Sequence, residues 1–183
     1  MPVILLLAGV ALLLSCIKSV GENESAIVEH LGEFSRVLSP GHHIIIPFIE
    51  TITYVNKRTQ PLETGNVTVY TSDNHSLQIE STLKYRITNE YKVLYEVEQL
   101  NQSIHELIKE AVKQYYKTVY LEDLFPTFSL DEQHIVDFMN GYLTSYGLSV
   151  TDYSHGSLKP SLETQTYLNN HFYFNLTNLK KSF

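Results

Sequence analysis

Hydrophobic positions recur in three rhythms along this chain, and each change of rhythm marks a change of structure. Residues 1–17 are almost unbroken hydrocarbon, and Lys18 then opens a polar sequence that never returns to such a run. Ala26 to Leu31 alternates as a short strand, and Leu38-Ser39-Pro40-Gly41 sets Pro and Gly in turn order. His42 to Ile49 reads as a second, apolar strand in which Pro47 removes a backbone donor, marking an edge, a bulge or the strand end. Ile52, Tyr54 and Val55 continue an extended stretch toward Arg58. From Leu77 to Ile87 the odd positions are Leu, Ile, Ser, Leu, Tyr and Ile while the even ones are Gln, Glu, Thr, Lys and Arg. Only a two-residue period does that, so this is a half-buried strand, with Val67 to Thr71 its hairpin partner across Ser72-Asp73-Asn74.

The period then lengthens. Asn89 is placed to cap a short helix through Val97, and Leu100, Ile104, Leu107, Ile108, Ala111, Val112 and Tyr115 repeat at three and four, giving a second helix with one apolar stripe. A third helix is expected after Pro126. Ser129-Leu130-Asp131-Glu132 has capping-box spacing, and Ile135, Phe138, Met139, Tyr142, Leu143 and Tyr146 form its buried face. Gly147 ends it, and Leu148, Val150 and Tyr153 alternate in a last strand to about Leu158, before Pro160. Strands, then helices, then a returning strand predict an α+β fold with helices on one face of a mostly antiparallel sheet.

The opening apolar run is shorter than the roughly 20 residues that comfortably span a bilayer, yet it matches the apolar core of a secretory signal. Leu13-Leu14-Ser15-Cys16 places the only cysteine after a small residue at the boundary, which resembles the lipobox where bacterial lipoprotein precursors are cut and acylated. No Lys or Arg precedes the run, so the usual basic flank is reduced to the α-amino group. Three readings stay open: a lipid anchor on Cys16, an uncleaved short helix, and a buried N-terminal helix of a soluble protein. The first two tether the chain to membrane lipid, on a side that one lysine among Glu22 and Glu24 does not specify.

Composition narrows the function. The chain is 43% hydrophobic, enough for a true core, and its formal net charge of -7 opposes non-specific grip on nucleic acid or anionic headgroups. One cysteine excludes an intramolecular disulfide framework and a cysteine zinc site. Sequons at Asn23, Asn66, Asn74, Asn101 and Asn175 carry little weight in a chain rich in Asn, Ser and Thr. The eight histidines lack ligand spacing: His42 and His43 are adjacent and point to opposite faces of a strand, while His30, His75, His105, His134, His155 and His171 are scattered. No nucleophile elbow, dinucleotide fingerprint or P-loop occurs, and the Glu106/Glu110 and Glu122/Asp123 carboxylates read as solvated helix faces. The expectation is a protein that is not an enzyme and needs no metal or cofactor. Ile44-Ile45-Ile46-Pro47-Phe48-Ile49 is too continuous for a strand with one wet face, so both faces require cover. Either the small N-terminal sheet buries it or Ile44, Ile45, Ile46, Pro47 and Phe48 lie against the bilayer. Phe172, Tyr173 and Phe174 are a second surface, core-packing or interfacial.

An apolar start is followed by Glu29-His30-Leu31-Gly32-Glu33-Phe34, Leu38-Ser39-Pro40-Gly41-His42-His43, Ile46-Pro47-Phe48-Ile49-Glu50 and Arg58-Thr59-Gln60, ahead of the strand, helices and strand that end near Pro160. In order and spacing this resembles the SPFH or band 7 superfamily of stomatins, prohibitins, flotillins and HflK/HflC proteins. The resemblance implies an SPFH-like domain over residues 22–160, with a small β subdomain at 22–59 and an α+β subdomain at 60–160. It also implies a membrane-anchored scaffold that homo-oligomerises to organise lipid or membrane proteins. A rival from another class is a regulatory partner of a membrane protease, such as an AAA+ protease of the FtsH kind, that binds through the helical face without large assemblies. The long Ala/Glu-rich helix usual after this domain is replaced here by residues 161–183, expected to form a short helical or interfacial tail. Leu168, Phe172, Leu176 and Leu179 share a helical face there, but the asparagines between them sustain no heptad.

Overall fold

The computed structural model describes residues 15–97, 103–124 and 131–172, together with Val3 and Leu7. Nine strands and four α-helices occur among the described residues: β1 Ile17–Val20, β2 Glu24–His30, β3 Glu33–Leu38, β4 Gly41–Ile44, β5 Glu50–Asn56, β6 Gln60–Glu63, β7 Val67–Tyr70, β8 Ser76–Ile87, α1 Ile104–Tyr116, α2 Leu121–Leu124, α3 Glu132–Leu143, β9 Leu148–Pro160 and α4 Leu162–Phe172. Every strand pair among the described residues is antiparallel, in line with the mostly antiparallel sheet expected.

The larger subdomain is organised by β8. Leu77, Ile79, Ser81, Leu83, Tyr85 and Ile87 are buried while the residues between them face outward, so one side of the strand is core and the other is water. β9 lies along one edge of β8, and β6 and β7 share the other edge, pairing with its two halves in turn. Helices α1 and α3 cover the apolar face through Leu107, Ile108, Ala111, Val112, Ile135, Met139 and Leu143. The α1 stripe is the one the spacing of three and four predicts. Its N-terminus is fastened by a capping box: the Ser103 hydroxyl accepts from Glu106 N–H and the Glu106 carboxylate accepts from Ser103 N–H. Leu100, assigned to the same stripe, lies outside the described residues, as does Ser129 of the expected box on α3. There Asp131 is the cap, accepting from Gln133 N–H at 3.0 Å. The Asn89 side chain caps the next turn, accepting from Lys92 N–H, but the segment Lys92–Val97 is wound as a π-helix. Gly147 closes the turn after α3 at φ +75°, where an added Cβ would meet the Asn89 carbonyl oxygen at 2.5 Å.

The small subdomain centres on β2, flanked by β3 and β5, with β1 and β4 paired as a separate ribbon. Val20, Ala26, Val28, Leu38 and Ile45 form its own core. The opposite face of β2 turns toward the larger subdomain through Ser25 and Glu29. The alternation from Ala26 to Leu31 predicts one strand here, whereas the chain turns after His30 and runs back as β3. Leu31 and Gly32, with φ of 54° and 86°, reverse the chain as a two-residue hairpin turn of the primed type that suits strand twist.

The packed unit continues past Pro160. Helix α4 docks on the ends of β8 and β9: Thr164 Oγ1 donates to the Ser76 carbonyl at 3.0 Å, His75 stacks near Tyr167 with centroids 4.4 Å apart, and Leu168 is 1% exposed within the main core. Residues 162–172 are thus a helix of the domain; Tyr173 and Phe174 lie outside the described residues. Leu168→Ala should cost about 2–5 kcal/mol in a urea titration. Leu162→Ala, at a side chain 85% exposed, should stay within about 0.5 kcal/mol. Equal small effects would detach α4 from the core.

Candidate functional site

One end of the small subdomain carries side chains that a soluble surface does not favour. β4 stops at Ile44 because Pro47 has no N–H to extend the ladder and Phe48 takes a left-handed backbone, φ +70°. The segment closes as a turn in which Glu50 N–H donates to the Ile46 carbonyl at 2.9 Å. Of the two covers expected for the Ile44 to Ile49 run, burial in the small sheet therefore holds for one isoleucine only. Ile45 alone turns inward, at 3% exposure, and it belongs to the small core rather than to an outward contact surface. Ile44, Ile46 and Ile49 are exposed, and Phe48 is 93% exposed.

Three neighbours join them. Leu31 N–H donates to the Ile49 carbonyl at 2.9 Å, so the β2–β3 turn abuts this loop. Leu31 combines a left-handed backbone, where Asn or Gly is at ease, with an exposed leucine side chain. Two local preferences are broken at one residue, and such departures gather at functional positions. Ile17, also exposed, pairs with Ile44, and Ile45 N–H donates to the Cys16 carbonyl at 2.7 Å. The chain thus leaves residues 1–14 and enters the fold at the same end as Leu31, Ile44, Ile46 and Phe48. Cys16 is half-buried there, outside any disulfide.

A charged clamp holds this end in shape. Arg36 Nη1 and Nη2 donate to Glu50 Oε1 and Oε2 at 2.6 and 3.2 Å, and Ile46 N–H donates to Glu50 Oε2 at 2.9 Å. A fork-to-fork pair of this kind fixes orientation as well as charge. The Arg36 guanidinium, helped by the Ile46 N–H, pulls the Glu50 carboxyl down to about 2.

The other end of the small subdomain meets the segment that leads into the π-helix. Glu90 is buried between Ser25, whose hydroxyl donates at 2.6 Å, and Lys57, whose ammonium stands at 2.7 Å. Burial alone would raise its pKa, but the hydrogen bonds from Lys57 and Ser25 outweigh that and hold it below the ordinary carboxylate value. A cleft of about 610 Å³ opens beside it, lined by Val37, Pro40, Lys57, Arg86 and Glu90 among others. Further along the junction the Tyr95 hydroxyl donates to Glu29, and Phe34 packs edge-on against Tyr91 and Tyr95 with centroids 4.8 and 6.1 Å apart.

Histidine placement follows the strand rule: His42 and His43 are successive residues of β4, and His43 Nε2 lies 2.7 Å from the Ser39 carbonyl. Among the described residues no group of three or more His, Cys, Asp or Glu is gathered as a metal site. Among the same residues no helix is long and apolar enough to cross a membrane.

The sheet built on β8, the capped helices and the small β2-centred subdomain coincide with a known domain. The model of the SPFH domain / Band 7 family matches residues 18–171. The chain belongs to this family. That match reaches into α4, beyond the boundary near Pro160 and in keeping with the packing of Leu168. Human mitochondrial stomatin-like protein 2 is 29% identical over 135 residues, 73% of this chain and 38% of that protein. A stomatin-like protein of Caenorhabditis elegans is 26% identical over 138 residues, 75% of this chain and 43% of its own length. A putative band 7 family protein of Acanthamoeba polyphaga mimivirus is 31% identical over 90 residues, 49% of this chain and 30% of its own length. The chain therefore spans well under half the length of these relatives.

Because Glu50 titrates lower folded than unfolded, its contribution is full above about 4.5 and is lost as pH falls toward about 2. The gap in urea midpoint between the parent and Glu50→Gln should be widest at pH 6 and should close as pH drops from 4.5 to 2.5. A gap that stays constant across this range would remove the clamp.

Proposed function

We propose that this SPFH domain is a membrane-seated scaffold whose small subdomain rests on lipid through Leu31, Ile44, Ile46, Pro47 and Phe48. The observation that carries the reading is coincidence of place. The apolar residues that precede Ser15 join the fold at Cys16 and Ile17, on the end where exposed Leu31, Ile44, Ile46 and Phe48 lie together. Residues 1–16 then act as the anchor, as a short helix or as a segment processed to a lipid-bearing Cys16, with Ile17 already in β1. The tip adds apolar area, and side chains of this kind bury about 5–10 Å into the boundary between headgroups and acyl chains. A net charge of -7 makes this contact apolar rather than electrostatic.

Membership in the family supports a role through assembly of copies, with no reaction of the chain's own. With α4 folded back onto β8 and β9, contacts between copies run through the globular surface in this proposal. The alternative of a regulator for a membrane protease of the AAA+ kind draws on the same family likeness. Full-length chain extracted from membranes in mild detergent should run as a large homo-oligomer by light scattering. A monomer that purifies in fixed ratio with a membrane protease would replace the scaffold by the regulator. Intact mass of the same preparation should show an anchor still attached, either residues 1–15 or acyl chains on Cys16, and a bare chain beginning after Cys16 would exclude both.

A further inference from the structure

The aromatic cluster at the junction stands directly behind the Leu31-Gly32 turn of the apolar tip, along the same hairpin. Phe34 and Tyr91 are each 42% exposed, and Tyr91 and Tyr95 lie 5.0 Å apart, so the three rings form one partly open surface. Phe34 pairs with Glu29 in the β2–β3 hairpin, just behind the Leu31-Gly32 turn. At about 3.4 Å per residue the strand sets Phe34 roughly 7–10 Å behind that turn. Each headgroup layer of a bilayer is about 5–8 Å deep, the difference between its full thickness and its hydrocarbon core. With the hairpin upright on the membrane and its apolar turn sunk a few ångströms below the acyl boundary, within the depth such side chains reach, Phe34 comes to headgroup height. Tyr91 and Tyr95 are drawn to the same level by their contacts with it. Aromatic rings, tyrosine above all, favour that zone because the ring is apolar and the hydroxyl is not.

We propose that Phe34, Tyr91 and Tyr95 form an interfacial seat in the headgroup layer, which fixes the tilt of the larger subdomain over the membrane. The inference rests on the membrane reading of the tip. Glu29 and Glu33 stand in the same hairpin, so the surface suits zwitterionic headgroups and repels anionic ones. The Tyr95 hydroxyl, bonded to Glu29, ties the π-helix to the hairpin, so the two subdomains tilt together.

The chain has no tryptophan, so a single introduced one reports alone. Full-length Phe34→Trp, Tyr91→Trp, Phe48→Trp and Tyr120→Trp proteins are reconstituted in phosphatidylcholine vesicles whose lipids carry bromine either near the headgroup or deep in the acyl chain. Tyr120 is exposed at the opposite end of β8, near the β7–β8 turn, and serves as the distant site. Phe48→Trp emission should fall severalfold. Phe34→Trp and Tyr91→Trp should be quenched more by shallow bromine than by deep, and Tyr120→Trp by neither. If Phe48→Trp is quenched but Phe34→Trp and Tyr91→Trp behave like Tyr120→Trp, the seat is overturned and the tip reading stands. Stronger quenching of the junction sites by deep bromine would also overturn it, since the rings would lie among acyl chains. An unquenched Phe48→Trp sinks the membrane reading and this inference with it. Should Phe34→Trp lose its fold by circular dichroism, Tyr91→Trp decides alone.

Discussion

A single carboxylate keeps an apolar loop where water would not leave it. Glu50 accepts from both nitrogens of the Arg36 guanidinium and from the Ile46 N–H. Without those bonds, Ile44, Ile46 and Phe48 would gain by collapsing onto one another or onto the β2 sheet, because exposed apolar area is unfavourable in water. The clamp instead fixes the loop with its hydrophobic side chains outward, next to a strained Leu31. A surface so arranged is stable as a monomer's exterior only at a cost, and it becomes favourable once a hydrocarbon phase covers it.

The remaining architecture gives that tip a rigid mounting. The β2 sheet has two working faces. One encloses Val20, Ala26, Val28, Leu38 and Ile45, and the other meets the larger subdomain through Ser25 with Glu90 and Glu29 with Tyr95. Glu90 is nearly covered, and a buried carboxylate left without Lys57 and Ser25 would be strongly unfavourable, so the junction resists opening. Beyond it, β8 carries the large core through all of its buried odd positions, and α1, α3 and α4 close over that face. Placement of the tip is in this way transmitted through ordinary packing to the whole SPFH domain.

Much of this was legible from residue order and some was not. The alternation from Leu77 to Ile87 and the α1 stripe appear where their periods put them, because each element has one wet face and one dry face. β3 was missed because Ser35 is bulged: Phe34 shares a face with Glu29, whereas Arg36 and Leu38 pair with Val28 and Ala26 on the other, so no clean period survives. The π winding of Lys92–Val97 leaves no mark in composition, although its Asn89 cap does. The run from Ile44 to Ile49 left burial and lipid contact undecided for a more general reason. A string of apolar residues reads as buried, and only the left-handed Phe48, the proline and a distant Arg36–Glu50 pair turn it outward. The Leu31-Gly32 pair held a signal that could have been used, a turn dipeptide with leucine where asparagine is expected.

The most direct test of the account is the partition of residues 15–183, folded by circular dichroism, between buffer and phosphatidylcholine vesicles, compared with the Ile44→Ser, Phe48→Ser double variant. Burial of each such side chain contributes about 1.5–3 kcal/mol, so the double variant should bind at least about tenfold more weakly while its melting is unchanged. Equal partition of the two proteins would contradict the account, because the exposed tip would then have no part in holding the domain to lipid.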